Sequence, residues 1–115
     1  MITIDKLNAF GADTASGLAR CCGNEALYLR LVGMIPDEKN FDLLSHSIGR
    51  GDLAAAFESA HALKGVLGNL SLTPLYEKAS AITELLRCGE AADYAPMVAQ
   101  IMAQREELRQ LTMDN

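Results

Sequence analysis

The stretch from Ala60 to Leu70 holds the residues of this chain that are best suited to chemistry. It contains a histidine, His61, a lysine three residues later, Lys64, and two glycines, Gly65 and Gly68. A neutral imidazole presents a nucleophilic nitrogen near pH 7. A lysine ammonium one helical turn away can neutralise part of the negative charge on a group that the imidazole attacks. The pattern therefore predicts a nucleophile with an adjacent cation.

A helix from Asp52 to Leu70 would keep this histidine out of the core. At about 100° per residue, one side of the helix is apolar. That stripe consists of Leu53, Ala56, Phe57, Ala60, Leu63, Leu67 and Leu70. His61 lies roughly 120° from the centre of the stripe, with Gly65 and Gly68 on either side of it. We therefore expect the imidazole to be at least partly exposed.

Two glycines inside one helix need an explanation, because each lowers helix stability by about 1 kcal/mol relative to alanine. Gly65 and Gly68 could let another molecule approach the imidazole closely, or they could allow tight packing against a neighbouring helix. His61 and Lys64 could also be ordinary solvated side chains. The other histidine, His46, is expected to be a polar-face residue without a special role.

The composition indicates one helical domain, residues 1–115. The chain has 115 residues, a net charge of −5, three Tyr, three Phe and no Trp, which favours helices packed on helices. The negative charge argues against non-specific binding to nucleic acid or to an anionic membrane. No apolar run is long enough to span a bilayer, and the three cysteines suggest no disulfide framework and lack zinc-site spacing. We therefore expect a reduced, soluble, cytoplasmic protein.

Capping residues and proline divide the first half of the chain into helices. Residues 1–12 are expected to form a short helix or an extended lead-in, and a short helix follows from Thr14 to Cys22. Asp13 is a suitable N-cap for that helix, Asn24 for the next one and Asp52 for the segment that holds His61. Pro36 interrupts that helix, and the apolar pattern then continues to Gly49.

Two more helices follow the Asp52–Leu70 segment. Thr73 is expected to be the N-cap of the first, Pro74 its first residue, and Gly89 its end. The last helix starts near Asp93, and its solvated face is expected to hold Gln104, Arg105, Glu106 and Arg109. Because the connections are short, sequential helices should be antiparallel neighbours. The sequence therefore predicts an all-α fold, an up-down-up-down four-helix bundle with a short extra N-terminal helix.

The same residues resemble the signature of histidine-containing phosphotransfer (HPt) domains. The resemblance rests first on His61-Ala62-Leu63-Lys64-Gly65 and on Gly68-Asn69-Leu70. It continues in the Gly51-Asp52 turn, in the spacing of Leu75, Ala79 and Leu85, and in the N-terminal segments Gly17-Leu18-Ala19-Arg20 and Gly23-Asn24-Glu25-Ala26-Leu27-Tyr28. It thus covers nearly the whole chain. Ser71 departs from the family pattern, in which a glycine is usual, and Val66 and Leu67 are bulkier than the small residues often found there.

The resemblance implies a phosphorelay intermediate in which His61 accepts a phosphoryl group from a receiver-domain aspartate and passes it to another. We expect Nε2 to carry the group and Nδ1 to be held by a local partner. Lys64 would neutralise phosphoryl charge. The docking surface is expected to include Glu58, Ala62, Gly65 and Gly68.

The partners implied are response-regulator receiver domains or a hybrid histidine kinase. The receiver would bring Mg²⁺, so the chain itself is expected to need no cofactor or metal. It has no P-loop and no kinase glycine-rich loop, which predicts a phosphoryl carrier and not an ATP-dependent enzyme. We expect it to be a monomer.

Other functions stay open at this point. A helical adaptor that binds receiver or kinase domains without carrying phosphate would have the same bundle, since fold does not fix function. The phosphoacceptor domain of a sensor kinase usually has an acidic residue after the histidine and a proline soon afterwards, whereas here Ala62 follows and the next proline is Pro74. A metabolic enzyme is the weakest alternative, since no pair of carboxylates and no nucleophile–base pair has a persuasive context.

Overall fold

The computed structural model describes residues 1–89 and 91–113, and this part of the chain is helical outside its turns. In order, the helices are α1 (Ile4–Phe10), α2 (Thr14–Arg20), α3 (Glu25–Met34), a 3₁₀ helix (Ile35–Asp37), α4 (Lys39–Gly49), α5 (Leu53–Asn69), α6 (Thr73–Arg87) and α7 (Ala95–Met113). The prediction of an all-α fold is confirmed. The interruption at Pro36 is the 3₁₀ helix, which separates α3 from α4.

Helices α4 to α7 surround one core. α5 packs against α4 and α6, and α7 packs against α6 and α4, so that the four helices form a closed set. Only residues 50–52 and 70–72 connect α4 to α5 and α5 to α6. Such short connections favour antiparallel neighbours, and the up-down-up-down order stays a prediction on that ground.

Local capping explains where several helices begin. The side chains of Asp13, Asn24 and Asp52 accept hydrogen bonds from backbone N–H groups in the first turns of α2, α3 and α5, at 3.0–3.1 Å. Each bond satisfies a donor that the helix itself cannot pair. All three caps agree with the sequence prediction.

Of the two alternatives predicted for residues 1–12, the structure has the short helix, α1, which is capped by Thr3. Because the 3₁₀ helix separates α3 from α4, three helices precede the four that surround the core, whereas the predicted bundle had one short extra N-terminal helix. α2 ends at Arg20 instead of Cys22. The cause is local, since Cys22 has a φ of 56° and Gly23 a φ of 76°, a left-handed conformation that no α-helix accommodates.

The start of α6 was also assigned one residue too late. Leu72 and not Thr73 occupies the N-cap position, and no side chain caps this helix. Leu72 is fully buried, so its side chain anchors the chain in the core just before the helix begins. The Thr73 hydroxyl instead donates to the carbonyl of Ser71 at 3.4 Å.

The buried face of α5 differs from the predicted stripe at two positions. Leu53, assigned to the core, is 37% exposed, and Ser59, which the stripe omitted, is buried. Leu53 is the first residue of α5, so no preceding turn of the helix covers its side chain. Ala56, Ala60, Leu63 and Leu67 are fully buried, as predicted.

The predicted solvated face of α7 is wrong for its arginines. The Arg105 guanidinium pairs with Asp42 at 3.1 Å and lies 5.5 Å from the centre of the Phe41 ring. Arg109 pairs with Asp37 at 2.8 Å and also donates to a backbone carbonyl of the 3₁₀ helix. Partners on other elements therefore hold these two side chains against the protein. The pattern of residues within α7 alone does not indicate such ion pairs.

Tyr28 ties the N-terminal helices to the turn between α5 and α6. Its ring is fully buried, and its hydroxyl donates to the Leu70 carbonyl at 2.9 Å. Gly17 of α2 lies against the ring, where a Cβ would come within 2.5 Å of Cζ. The absence of a side chain at Gly17 is what allows α2 to pack this closely.

Burial raises the pKa of Tyr28 to about 12 from 10.0, and the nearby Cys21 and Asp13 add to the shift. Because the unfolded chain loses this proton at lower pH than the folded protein, the free energy of unfolding should fall as pH rises from about 10 to about 12. Tyr28→Phe should be less stable by about 1–3 kcal/mol at pH 8, since it leaves the buried Leu70 carbonyl unpaired. Urea unfolding of both proteins from pH 8 to pH 12 tests this. The stability of the wild type should fall more steeply above pH 10, and parallel curves would refute the titration of Tyr28.

Candidate functional site

His61 lies on the exposed surface of α5, as the sequence predicts. Its ring stacks on the ring of Phe57, one turn earlier, with a centroid distance of 5.7 Å and an interplanar angle of 20°. The Arg87 guanidinium of α6 lies 5.2 Å from the centre of the same Phe57 ring. The stack restrains the orientation of the imidazole while leaving it accessible.

We predicted that a local partner would hold the Nδ1 atom of His61. Within residues 1–89 and 91–113, the imidazole has no hydrogen-bond partner, and the contact that orients it is the stack on Phe57. Both ring nitrogens are therefore free of bonds to the described residues. The orientation comes from an aromatic neighbour of the same helix, which the sequence analysis assigned only to the core.

His61 opens onto a groove of about 610 Å³. The groove runs between α5, α6 and α2 and is lined by Asp13, Arg20, His61, Lys64, Gly65, Gly68, Asn69, Ser71, Thr73, Tyr76 and Glu77. Four of the predicted site residues thus share one surface. Glu58 and Ala62, also predicted to dock a partner, do not line this groove: Glu58 is exposed and Ala62 is half-buried.

The two glycines of the groove are in different surroundings. A Cβ added at Gly65 would meet no atom within 4 Å, so this position is open to an approaching molecule. A Cβ at Gly68 would lie 3.0 Å from Cε1 and 3.2 Å from Cδ1 of Tyr76. Gly68 therefore makes room for a side chain of α6, which is the packing alternative. A docking role for these glycines stays a prediction.

Two cations line the groove without a carboxylate partner. Neither Lys64 nor Arg20 forms an ion pair or a side-chain hydrogen bond with any residue in the part of the chain that the structure describes. Of the acidic residues in the groove, Asp13 caps α2 and Glu77 is exposed. Positive charge is thus available beside His61 to interact with an anion.

Arg20, Tyr76 and Phe57 are site residues that the sequence analysis did not assign. Arg20 belongs to a segment quoted for its resemblance to the HPt family, but nothing in its own spacing indicates a contact with α5. Phe57 lies four residues before His61, and that spacing alone could have indicated the stack. Tyr76 could be recognised only once α6 was placed against Gly68.

His46 differs from His61 in its surroundings. It is exposed on α4, near the end of that helix, and it does not line the groove. Among the described residues, no three His, Cys, Asp or Glu side chains come together as a candidate metal site. In the same part of the chain, no helix has the length and apolar character needed to cross a bilayer.

Comparison with known proteins identifies the family. No curated protein and no solved structure gives a significant match to the chain. The family model described as the Hpt domain matches residues 37–112, which include α4 to α6, nearly all of α7 and both histidines. Hpt domains are phosphotransfer carriers of two-component phosphorelays, interact with receiver domains and histidine kinases, and are not ATP-dependent enzymes. The chain belongs to the Hpt domain family.

Proposed function

We propose that this chain is a phosphorelay intermediate that accepts a phosphoryl group on Nε2 of His61 and delivers it to a second receiver domain. The observation that carries the proposal is the groove, in which an exposed imidazole and the unpaired Lys64 lie together inside the family-matched segment. His46, the other histidine of that segment, has no such surroundings.

The transfer conserves one phosphoryl group. The Nε2 lone pair of neutral His61 forms a bond to phosphorus while the bond from phosphorus to the aspartyl oxygen of the receiver breaks. The electron pair of that bond leaves with the aspartate, which becomes a carboxylate. The positive charge that develops on the ring is relieved when the proton on Nδ1 passes to water, to which the exposed His61 is open. Onward delivery reverses the step on a second aspartate.

Positioning and positive charge are the main requirements, because the phosphoryl group passes through a loose, anionic transition state. The stack on Phe57 restrains the nucleophile, and Lys64 can follow the group as a mobile cation. The open space at Gly65 lets the receiver approach. Mg²⁺ would be held by the receiver, and the transfer needs no ATP site on the chain.

The partner would be a receiver domain, alone or within a hybrid kinase. This chain would bind it as a monomer, in a short-lived complex. Such complexes bury areas at the low end of protein interfaces. We also place the chain in the cytoplasm, because its three cysteines form no disulfide framework.

Transfer between two receivers tests the proposal. Receiver domains carrying radiolabelled phosphoaspartate are mixed with the wild-type chain, the labelled chain is purified, and an unlabelled second receiver is added with Mg²⁺. We expect label that is stable in base and labile in acid to appear on the chain, and then to move to the second receiver.

Two outcomes would contradict the proposal. Stable binding to a receiver without any label on the chain would favour the adaptor alternative. Label that enters the chain but passes to none of the unlabelled receivers tested would refute the role of an intermediate. A receiver aspartate replaced by asparagine is the matched control, since it docks without a phosphoryl group to donate.

A further inference from the structure

Helix α2 brings a second cation to the groove from outside the family-matched segment. The Hpt match begins at residue 37, whereas Arg20 is the last residue of α2. Arg20 nevertheless lines the same groove as His61 and Lys64. The N-terminal helices therefore contribute to the site and do not merely cover one end of the bundle.

The placement of Arg20 follows from one face of α2. The backbone N–H of Asp13 donates to the Ser71 carbonyl at 2.9 Å, and the Ser71 hydroxyl donates to the Ser16 hydroxyl at 3.1 Å. Gly17 packs on the buried Tyr28 ring. Positions 13, 16, 17 and 20 recur at helical spacing, so they lie on the same side of α2. The contacts that fix α2 to the turn after α5 thus also direct Arg20 toward the groove.

The charge of Arg20 is uncompensated by the described residues. It forms no ion pair there, unlike Arg50, Arg87, Arg105 and Arg109. The whole chain carries a net charge of −5, so it would otherwise repel an acidic partner. The groove holds Asp13 and Glu77 as well as Arg20 and Lys64, so its formal charges balance and the repulsion is weaker there than on the rest of the chain.

We infer that Arg20 is a receiver-docking residue that contacts the acidic surface around the phosphorylated aspartate. This inference rests on the proposed function. Because carboxylates hold Mg²⁺ at a receiver phosphorylation site, that surface is rich in oxygen anions. The guanidinium of Arg20 can bind a neighbouring carboxylate of that surface, one that does not hold Mg²⁺, through two parallel hydrogen bonds, while Lys64 remains beside the transferring group.

Transfer kinetics with a phosphorylated receiver test the inference. Arg20→Gln should raise KM about tenfold with kcat nearly unchanged, because a charge at the rim of an interface mainly changes the rate constant for association. Arg20→Lys should recover part of the loss. Arg30→Gln is the matched control, since Arg30 is exposed on α3 and does not line the groove. The salt dependence of kcat/KM should be weaker in Arg20→Gln than in the wild type and in Arg30→Gln.

Other results would overturn the inference. An unchanged KM in Arg20→Gln, or an equal rise in Arg30→Gln, would show that Arg20 makes no specific docking contact. A fall in kcat with unchanged KM would place Arg20 on the transferring phosphoryl group and not on the receiver surface. Unfolding curves of the variants separate misfolding from lost docking, and Arg20→Lys provides the test if Arg20→Gln does not fold. If the wild type itself takes no label, the proposed function fails. That result differs from a wild type that is labelled and an Arg20→Gln variant whose KM is unchanged.

Discussion

His61→Gln is expected to abolish the acid-labile labelling of this chain by phosphorylated receivers. The amide of glutamine is not a nucleophile toward phosphorus, and no other histidine lies in the groove. His61 is exposed, so the substitution replaces an imidazole on the surface with an amide and leaves the buried core unchanged. The measurement is the amount of base-stable label after incubation with a phosphorylated receiver. Unfolding curves show whether the variant is folded.

His46→Gln is the matched control for that experiment. His46 is exposed on α4, and the same change in side chain there should leave the rate of labelling at the wild-type value. Label on His61→Gln together with its loss from His46→Gln would move the phosphoacceptor to α4. Label on both single variants would mean that the groove does not select one histidine.

Gly17→Ala is expected to cause the largest loss of stability among single methyl additions at the glycines of this chain. The added Cβ would lie 2.5 Å from Cζ and 2.7 Å from Oη of Tyr28, and closer still to Cε1. The ring is fully buried and its hydroxyl is bonded to the Leu70 carbonyl, so it cannot move aside without losing that bond. We expect the free energy of unfolding to fall by about 3 kcal/mol, the upper part of the usual range for overpacking.

Gly33→Ala is the control for the Gly17 variant. It adds the same methyl group to helix α3 at a position where no atom lies within 4 Å. Here the better helix propensity of alanine should dominate and raise stability by about 1 kcal/mol. Urea unfolding followed by circular dichroism compares the two variants. A Gly17→Ala protein as stable as the wild type would contradict the tight contact between α2 and Tyr28.

The features that the sequence predicts well are those that depend on neighbouring residues along the chain. The N-caps Asp13, Asn24 and Asp52 each bond to a backbone group three residues later, so their identity and position suffice. The placement of His61 and Lys64 also depends only on their spacing along the chain. Once α5 is a helix, geometry alone places both beside one another and outside the core.

The features that the sequence does not predict depend on contacts between distant helices. Arg20 reaches the groove only because α2 is bonded to the turn at Ser71 and packed on Tyr28. Arg105 and Arg109 contact other elements because acidic partners lie on α4 and on the 3₁₀ helix. No pattern within α2 or α7 contains that information.

Ser71 lies between these two cases. In the family pattern a glycine is usual here, and Ser71 has a φ of 55°, in the left-handed region that glycine adopts at no steric cost. The turn therefore keeps a glycine-like backbone. The serine hydroxyl is used for the bond to Ser16, and its carbonyl accepts the N–H of Asp13. Only the hydroxyl bond depends on the departure from the family pattern, and it adds a side-chain contact between α2 and this turn.

The site of phosphorylation in the wild-type chain tests the central claim most directly. Cleavage with trypsin after Lys39, Arg50 and Lys64 places the two histidines in different peptides, residues 40–50 with His46 and residues 51–64 with His61. The chain is labelled by a phosphorylated receiver, digested and separated at alkaline pH, where phosphohistidine survives. We predict that the label is recovered in peptide 51–64. Label confined to peptide 40–50, or absent from both, would contradict the assignment of His61 as the phosphoacceptor.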